Sequence, residues 1–194
     1  MKLLLHICCA PCSIMCIETL RGEGIEPVGF WDNPNIHPFT EFRMRRNTLV
    51  EYAREIGLSL IVEGGYGLRP FLEAVGGDFD GRCATCYRLR MRSAARYAAE
   101  NGFTHFTTTL LISPYQNHEA ICAVARAMGG EYGVEFLYRD FRPLFREGQQ
   151  FARDHGFYMQ KYCGCVFSEE DRYLAKKRKK EAERLAAARQ NGPD

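Results

Sequence analysis

Seven of the nine cysteines of this chain lie in three short clusters near its beginning, middle and end. The clusters are Cys8-Cys9-Ala10-Pro11-Cys12, Cys83-Ala84-Thr85-Cys86 and Cys163-Gly164-Cys165. An odd number of cysteines is unsuited to a disulfide framework, so in a reducing compartment these clusters indicate metal or redox chemistry. Thiols that are close in sequence within a cluster, and that meet in space across clusters, are what an iron–sulfur or zinc site needs.

The spacing of the cysteines leaves three kinds of site open: iron–sulfur, zinc, or catalytic thiols without a metal. The adjacent pair Cys8-Cys9 is unusual for structural zinc, which normally uses two spaced pairs of ligands. Cys83-Ala-Thr-Cys86 suits zinc, an iron–sulfur cluster or a thioredoxin-like pair. Cys163-Gly-Cys165 makes a tight loop, and we interpret it as a redox pair that releases two electrons on oxidation. It is also compatible with two more metal ligands or with unreactive loop residues.

Strands and helices alternate along the chain, and their order decides where the clusters lie. Apolar runs bounded by turn signals predict five strands: Lys2–Cys8, Ile25–Trp31, Ser59–Val62, Phe103–Leu111 and Val134–Tyr138. Predicted helices cover Ala10–Arg21, Phe39–Ile56, Cys86–Glu100, Ser113–Met128 and a last segment that opens at Ser168. This alternation predicts an α/β fold, a Rossmann-like three-layer sandwich with a mostly parallel sheet. Ligands of such folds bind beyond the carboxyl ends of the strands, where Cys8 and Cys9 fall.

Length and composition set the expected organisation. The 194 residues, 46% of them apolar, suffice for one domain with a proper core. We expect a catalytic α/β domain at 1–167, followed by a basic helix and a frayed tail at 168–194. No apolar run approaches the roughly 18 residues of a membrane span, and the short apolar N-terminus does not look like a signal peptide. The expected location is therefore cytoplasmic, without a membrane partner. Cys16 and Cys122 lie among apolar helix positions and fit the core.

The net charge of +2 conceals local basic groups that suit a nucleic-acid partner. Four arginines next to the second cysteine cluster are candidates for binding phosphates: Arg82, Arg88, Arg90 and Arg92. A basic run, Lys176–Lys180, lies on the predicted last helix. Tyrosines near both groups add stacking surfaces for bases. A solvated helix face is the alternative, and it is the preferred interpretation for the run at the end of the chain.

Several segments, in this order and over nearly the whole length, make the chain resemble the QueH-type epoxyqueuosine reductases. The segments are Leu5–Ser13, Asn33–Pro38, Cys83–Arg90, Thr107–His118, Phe141–Pro143, Tyr158–Cys165 and Phe167-Ser168. The resemblance implies reduction of epoxyqueuosine to queuosine at the wobble position of tRNA anticodons, the last step of queuosine biosynthesis. It also implies a [4Fe–4S] cluster, no cobalamin, and a fold related to PP-loop nucleotide-binding proteins. Because Cys8–Cys12 replaces the glycine-rich phosphate loop of that fold, ATP use is not implied.

The resemblance also assigns residues by motif. The implied cluster ligands are Cys8, Cys9, Cys83 and Cys86. The implied redox-active pair is Cys163 and Cys165. Cys12 has no assigned role, and together with Asp32 it is a candidate ligand of a second metal, an additional iron. Candidates for the acid that protonates the leaving oxygen are Asp32, Asp140, Tyr115 and Tyr162.

Two other functional classes stay open at this point. A PP-loop-like tRNA sulfur-transfer enzyme would use ATP, and the absence of a Ser-Gly-Gly-x-Asp-Ser phosphate loop from the sequence counts against it. A non-catalytic zinc protein that binds RNA would be colourless, whereas a protein with a [4Fe–4S] cluster is brown. The expected partners are a tRNA with a queuosine-type wobble base and an electron donor that the sequence does not identify.

Overall fold

The structure is a computed structural model that describes residues 1–175 and residue 177. Its strands are β1 (Leu3–His6), β2 (Val28–Trp31), β3 (Leu60–Val62), β4 (His105–Thr108) and β5 (Glu135–Phe136). Its helices are α1 (Ala10–Gly22), α2 (Phe39–Glu55), α3 (Leu68–Val75), α4 (Arg82–Glu100), α5 (His118–Tyr132) and α6 (Phe145–Asp154). Two 3₁₀ turns cover Thr109–Ile112 and Arg142–Leu144, and a further helix covers 166–175.

The five described strands form one parallel sheet in the order β3-β2-β1-β4-β5. β1 lies at its centre, where Leu5 pairs with Gly29 on one side and with Thr107 on the other. All of β1 is buried, because helices cover both faces of the sheet, which explains its continuous apolar run. The predicted α/β three-layer fold is confirmed. Its strand order leaves a crevice where β1 and β4 end, the usual place for a ligand in such folds.

The structure differs from the sequence expectation at the start of α4, at the end of β4 and at the start of α5. α4 begins at Arg82 rather than at Cys86, so both cysteines of the second cluster lie in its first turns. The strand expected to reach Leu111 ends at Thr108 and continues as a 3₁₀ turn. The helix expected from Ser113 begins at His118 instead, because the Asn117 side chain accepts a hydrogen bond from the Ala120 N–H at 3.0 Å.

The division of the chain into 1–167 and 168–194 stays a prediction. The described helix at 166–175 begins before the expected boundary, and it is joined to α4 by an ion pair between Arg82 and Asp171. The expected frayed tail and, apart from Lys177, the basic run lie outside the described residues. Within the part of the chain that the structure describes, no helix is both long and apolar enough to cross a membrane.

Two adjacent glycines of α5 provide a test of the packing between this helix and the sheet. A Cβ at Gly129 would lie 2.7 Å from the carbonyl oxygen of Val134, whereas a Cβ at Gly130 would meet nothing within 4 Å. Gly129→Ala should therefore lower the free energy of unfolding by about 1–3 kcal/mol, because a backbone oxygen cannot move aside as a side chain can. Gly130→Ala should leave it unchanged or raise it by up to about 1 kcal/mol through helix propensity. Urea unfolding measures both, and equal effects would contradict this packing.

Candidate active site

The first cysteine cluster lies where β1 ends and α1 begins. The Sγ atoms of Cys8, Cys9 and Cys12 all lie within 4.8 Å of one another, and those of Cys8 and Cys9 are 3.8 Å apart. Cys9 is the N-cap of α1, so Cys12 returns to the same place one helical turn later. All three side chains are buried. Within the described part of the chain, they form the one group of three His, Cys, Asp or Glu side chains close enough to hold a metal ion.

Hydrogen bonding within this triad separates the three pKa values. The thiols of Cys12 and Cys9 donate to Cys8 and hold its pKa well below the ordinary value, and the guanidinium of Arg90 acts in the same direction. Burial raises the pKa of Cys9. The pKa of Cys12 is raised first by its hydrogen bond to Cys8. Without a metal, the triad therefore favours one thiolate stabilised by two thiols, and a bound cation would be needed to deprotonate all three.

Two donors from distant parts of the chain face these sulfurs. Thr109, in the 3₁₀ turn after β4, accepts from the Cys8 N–H at 3.1 Å and donates its hydroxyl to Cys8 Sγ at 3.4 Å. Gln160 Nε2 donates to Cys9 Sγ at 2.9 Å and to Cys12 Sγ at 3.4 Å. Hydrogen bonds to ligand sulfurs tune the properties of a metal site. Sequence reasoning missed both residues, since neither spacing nor residue type marks them, although both fall in segments shared with the resembling family.

Arg90 belongs to the interior of this site. It is 1% exposed, its Nη2 donates to Asn33 Oδ1 at 2.8 Å, and the Asn33 amide donates to the Ile7 carbonyl at 2.9 Å. Its Nη1 lies 3.9 Å from Cys86 Sγ. The charge of Arg90 is enclosed and faces thiols, so its burial does not support the phosphate-binding role predicted for it, and that role stays a prediction. The other three arginines keep that role only as a prediction: Arg82 is held by Asp171, and Arg88 and Arg92 are exposed on α4.

The second cysteine cluster lies at the start of α4, beside a cavity that the first cluster also lines. Cys83 is exposed and lines this cavity together with Cys8 and Cys12. Cys86 is buried in a small apolar cluster that also contains Cys165. Burial raises the pKa of Cys83, and it raises the pKa of Cys86 to about 12. The structure thus brings Cys83 to the cavity, but neither cysteine of the second cluster lies close enough to the triad to be counted in the same group of metal ligands.

The third cluster is held in place by Arg45 of α2. This side chain is 2% exposed, and its two terminal nitrogens donate to the carbonyl oxygens of Cys163 and Tyr162, each at 2.9 Å. Its Nε donates to Glu41 Oε1 at 2.7 Å. Gly164 has a φ of +145°, and a Cβ there would lie 3.3 Å from Arg45 Nη1. Both the backbone conformation and the close approach therefore require glycine between the two cysteines.

Residues of all three clusters meet at a cavity of about 940 Å³ at the carboxyl edge of the sheet. Cys8, Cys83 and Cys163 each line it. Gln116 fixes one wall: its Nε2 donates to Cys163 Sγ at 3.0 Å, and its Oε1 accepts from the Tyr87 hydroxyl at 2.8 Å. The cavity is at the upper end of the size range of small-molecule sites, and the polar groups close to its sulfurs are the hydroxyl of Thr109, the amides of Gln116 and Gln160 and the guanidinium of Arg90.

Asp32 does not lie beside Cys12, as the hypothesis of a second metal bound by both residues requires. Its carboxylate accepts a hydrogen bond from Ser93 and lines a separate cavity of about 360 Å³, on a different side of α4. Cys12, the other candidate ligand, belongs to the triad. The two side chains are not brought together, so an additional iron bound by both stays a prediction without support from the geometry.

The remaining candidate acids differ in their surroundings. The hydrogen bond from Arg142 lowers the pKa of Asp140 to about 2, so this carboxylate carries no proton at neutral pH. Tyr115 and Tyr162 both line the main cavity. Burial raises the pKa of Tyr162, and its hydroxyl donates to the His37 carbonyl at 2.5 Å. The hydroxyl proton of Tyr162 is therefore already used in a hydrogen bond within the protein, whereas the hydroxyl of Tyr115 is exposed.

The chain was compared with known proteins and family models. It matches the family described as epoxyqueuosine reductase QueH over residues 3–171. Proteins of the same name include one from Dehalococcoides mccartyi, 37% identical over 89% of this chain and 94% of that protein. Another, from Thermotoga maritima, is 33% identical over 93% of this chain and 94% of that protein. A third, from Haemophilus influenzae, is 34% identical over 88% and 72%.

A comparison with solved structures found a predicted subunit of a tRNA methyltransferase from Methanocaldococcus jannaschii. It is 11% identical, with a TM-score of 0.46 over 79% of this chain and 88% of that one. The family match, by contrast, covers most of the chain, and it contains all three cysteine clusters. Together with relatives above 30% identity along nearly the whole length, it shows that the chain belongs to the epoxyqueuosine reductase QueH family, and is therefore an oxidoreductase.

Proposed function

We propose that this protein reduces epoxyqueuosine to queuosine at the wobble position of tRNA anticodons. The observation that carries the proposal is the meeting of three sequence-distant cysteine clusters at one cavity, in a chain of this family. The cavity is large enough for a nucleoside. A wobble base lies in a single-stranded loop, from which it can be splayed out for chemistry.

The proposed electron source is the pair Cys163 and Cys165. Reduction of the epoxide breaks two carbon–oxygen bonds, forms a carbon–carbon double bond and releases the oxygen as water, which consumes two electrons and two protons. Oxidation of two thiols to a disulfide releases the same two electrons and two protons. Cys163 is exposed at the cavity, and Gln116 holds its sulfur there. An electron donor of the cell, whose identity is open, must then return the disulfide to the dithiol.

The residues of the site fit a [4Fe–4S] cluster. Three buried sulfurs lie within 4.8 Å of one another, and the buried guanidinium of Arg90 offsets the charge of a thiolate. When bound, such a cluster supplies one-electron transfer and a Lewis-acidic iron. The ligands proposed from the family motif are Cys8, Cys9, Cys83 and Cys86. Cys12 is the competing ligand, because it completes the triad in the structure. Cobalamin has no part in the proposal.

The function is tested by anaerobic purification, analysis of iron and sulfide, and incubation with tRNA that carries epoxyqueuosine. Loss of one oxygen from the wobble nucleoside, measured by mass spectrometry, is the expected result. A colourless protein that contains zinc and leaves the nucleoside unchanged would favour the non-catalytic RNA-binding alternative. Conversion that requires ATP and adds sulfur would favour the sulfur-transfer alternative.

The ligand assignment predicts different effects for three cysteine variants. Cys83→Ala should lose most of the iron and the visible absorption, because a cluster that normally holds about four irons on four thiolates becomes labile when one is missing. Cys122→Ala is the matched control, since Cys122 is a buried cysteine of α5 that does not line the cavity. Its iron content should be unchanged. If Cys83→Ala keeps its iron while Cys12→Ala loses it, the ligands are the triad and the assignment from the motif is wrong.

If Cys163 and Cys165 supply the electrons, they determine both how much substrate the protein converts without a donor and how fast it turns over. Pre-reduced protein without an added donor should convert one equivalent of substrate and lose two titratable thiols. Cys163→Ser should retain its iron but turn over at least about 100-fold more slowly, because one thiol cannot close the disulfide. Cys122→Ser should behave as the unchanged protein in both assays. Full turnover of Cys163→Ser with a strong chemical reductant would remove the dithiol from the mechanism.

A further inference from the structure

Four exposed cationic side chains surround the opening of the cavity that the cysteines line. We call them the cationic rim: Arg146, Arg153, Lys161 and Arg172. Glu147 is the one acidic residue among the described residues that line this cavity. Within residues 1–175 and 177, none of the four rim side chains forms an ion pair. The opening therefore presents an excess of positive charge that no acidic side chain of the described chain neutralises.

Two of the four rim side chains, Arg146 and Arg153, lie on a helix that was not predicted from the sequence. α6 places Gly148 and Ala152 against α1, and a Cβ at Gly148 would lie 3.1 Å from Met15 Cγ. Its opposite face turns Arg146 and Arg153 toward the cavity. α1 is the helix that begins at the cysteine triad, so this contact positions the two rim arginines of α6 relative to the sulfurs.

An exposed aromatic ring lies beside these charges. Tyr115 is 86% exposed, and it lines the same cavity, with its ring edge-on to Phe145 at a centroid distance of 5.7 Å. One face of a tyrosine that is this exposed is free to stack on an unpaired base. A cationic groove with an adjacent aromatic ring is the usual combination in sites for single-stranded nucleic acid.

The arginines of α4 do not share this geometry. Arg88 and Arg92 are exposed, but neither lines the main cavity, and Arg92 lines the separate cavity next to Asp32. All four rim side chains line the cavity that a nucleotide would enter, whereas these two exposed arginines of α4 do not. This contrast separates the rim from the surface that the sequence favoured.

We propose that the cationic rim binds the phosphates on either side of the wobble nucleotide, and that Tyr115 stacks on a neighbouring base of the anticodon loop. The inference rests on the proposed function for the identity of the RNA. It adds to that function the residues that recognise the substrate, on a surface formed by α6, Lys161 and Arg172.

The test compares two double variants that each remove two exposed arginines from a helix. Anaerobically purified full-length protein is titrated with a fluorescent anticodon stem-loop RNA over a series of salt concentrations. R146A/R153A should bind at least about tenfold more weakly at low salt, and the slope of log K against log salt should fall by about 1.4, or 0.7 per phosphate contact. R88A/R92A removes the two exposed arginines for which the sequence predicted phosphate binding, and it should match the unchanged protein in affinity and slope if the rim binds the phosphates instead.

Two outcomes would overturn the inference. The first is a rim variant that binds RNA as the unchanged protein does; if its reduction by an acidic electron-transfer protein is slower as well, the rim is the docking surface of the donor. The second is a loss of slope in R88A/R92A alone. If the unchanged protein converts epoxyqueuosine, either of these outcomes leaves the proposed function standing. Rim-dependent RNA binding without conversion would instead refute that function and not the rim.

Tyr115 gives an independent prediction in the same assay. Tyr115→Ala should weaken RNA binding by about tenfold, a typical effect of losing one stacked base, and should leave the salt slope unchanged. Tyr115→Phe should retain the affinity, because it keeps the ring and removes only the hydroxyl. Equal losses in both variants, or a change of slope in Tyr115→Ala, would contradict stacking.

Discussion

A buried guanidinium ties the end of the described chain to its first half. Arg45 binds the carbonyl oxygens of Tyr162 and Cys163, while Glu41 neutralises its charge. The same carboxylate also accepts a hydrogen bond from the hydroxyl of Tyr158, so it holds the approach to the loop as well. A buried charge is costly unless it is paired and fully hydrogen-bonded, which makes this arrangement specific to one loop conformation. The position of the third cysteine cluster at the cavity depends on it.

Positive charge inside the protein also explains the character of the thiol site. Arg45 and Arg90 approach the cysteines from α2 and α4, on two sides of the crevice. His6, at the end of β1, adds no charge, because burial lowers its pKa to about 3. Glu41 compensates Arg45, whereas Arg90 forms no ion pair with a carboxylate among the described residues, so the charge of Arg90 is compensated only when a thiol ionises. The interior without a metal thus favours one thiolate, at Cys8, and a bound cation would have to supply the charge that further thiolates need.

The sequence predicted the strands of the sheet and the edge that carries Cys8, but it did not predict the burial of Arg90 or the presence of α6. Continuous apolar runs such as Lys2–Cys8 mark strands buried on both faces, and turn signals set their order, so the edge that carries Cys8 follows directly. The burial of Arg90 could not be predicted, because its helix face becomes internal only when α4 packs against Asn33. α6 was missed for a similar reason. It is short and mostly polar, and it gains its stability from small residues pressed against α1 and not from a long apolar stripe.

The tight contact at Gly148 has a consequence for how this surface can evolve. Because α6 lies so close to α1, the position of the backbone that carries Arg146 and Arg153 is tied to the helix that begins at the cysteine triad. Side chains on the outer face of α6 can be exchanged without altering its contact with α1. A larger residue at position 148 would press on Met15 and favour a wider spacing of the two helices. Changes of substrate preference in this scaffold are thus expected to arise from surface substitutions, with the spacing of the two helices retained.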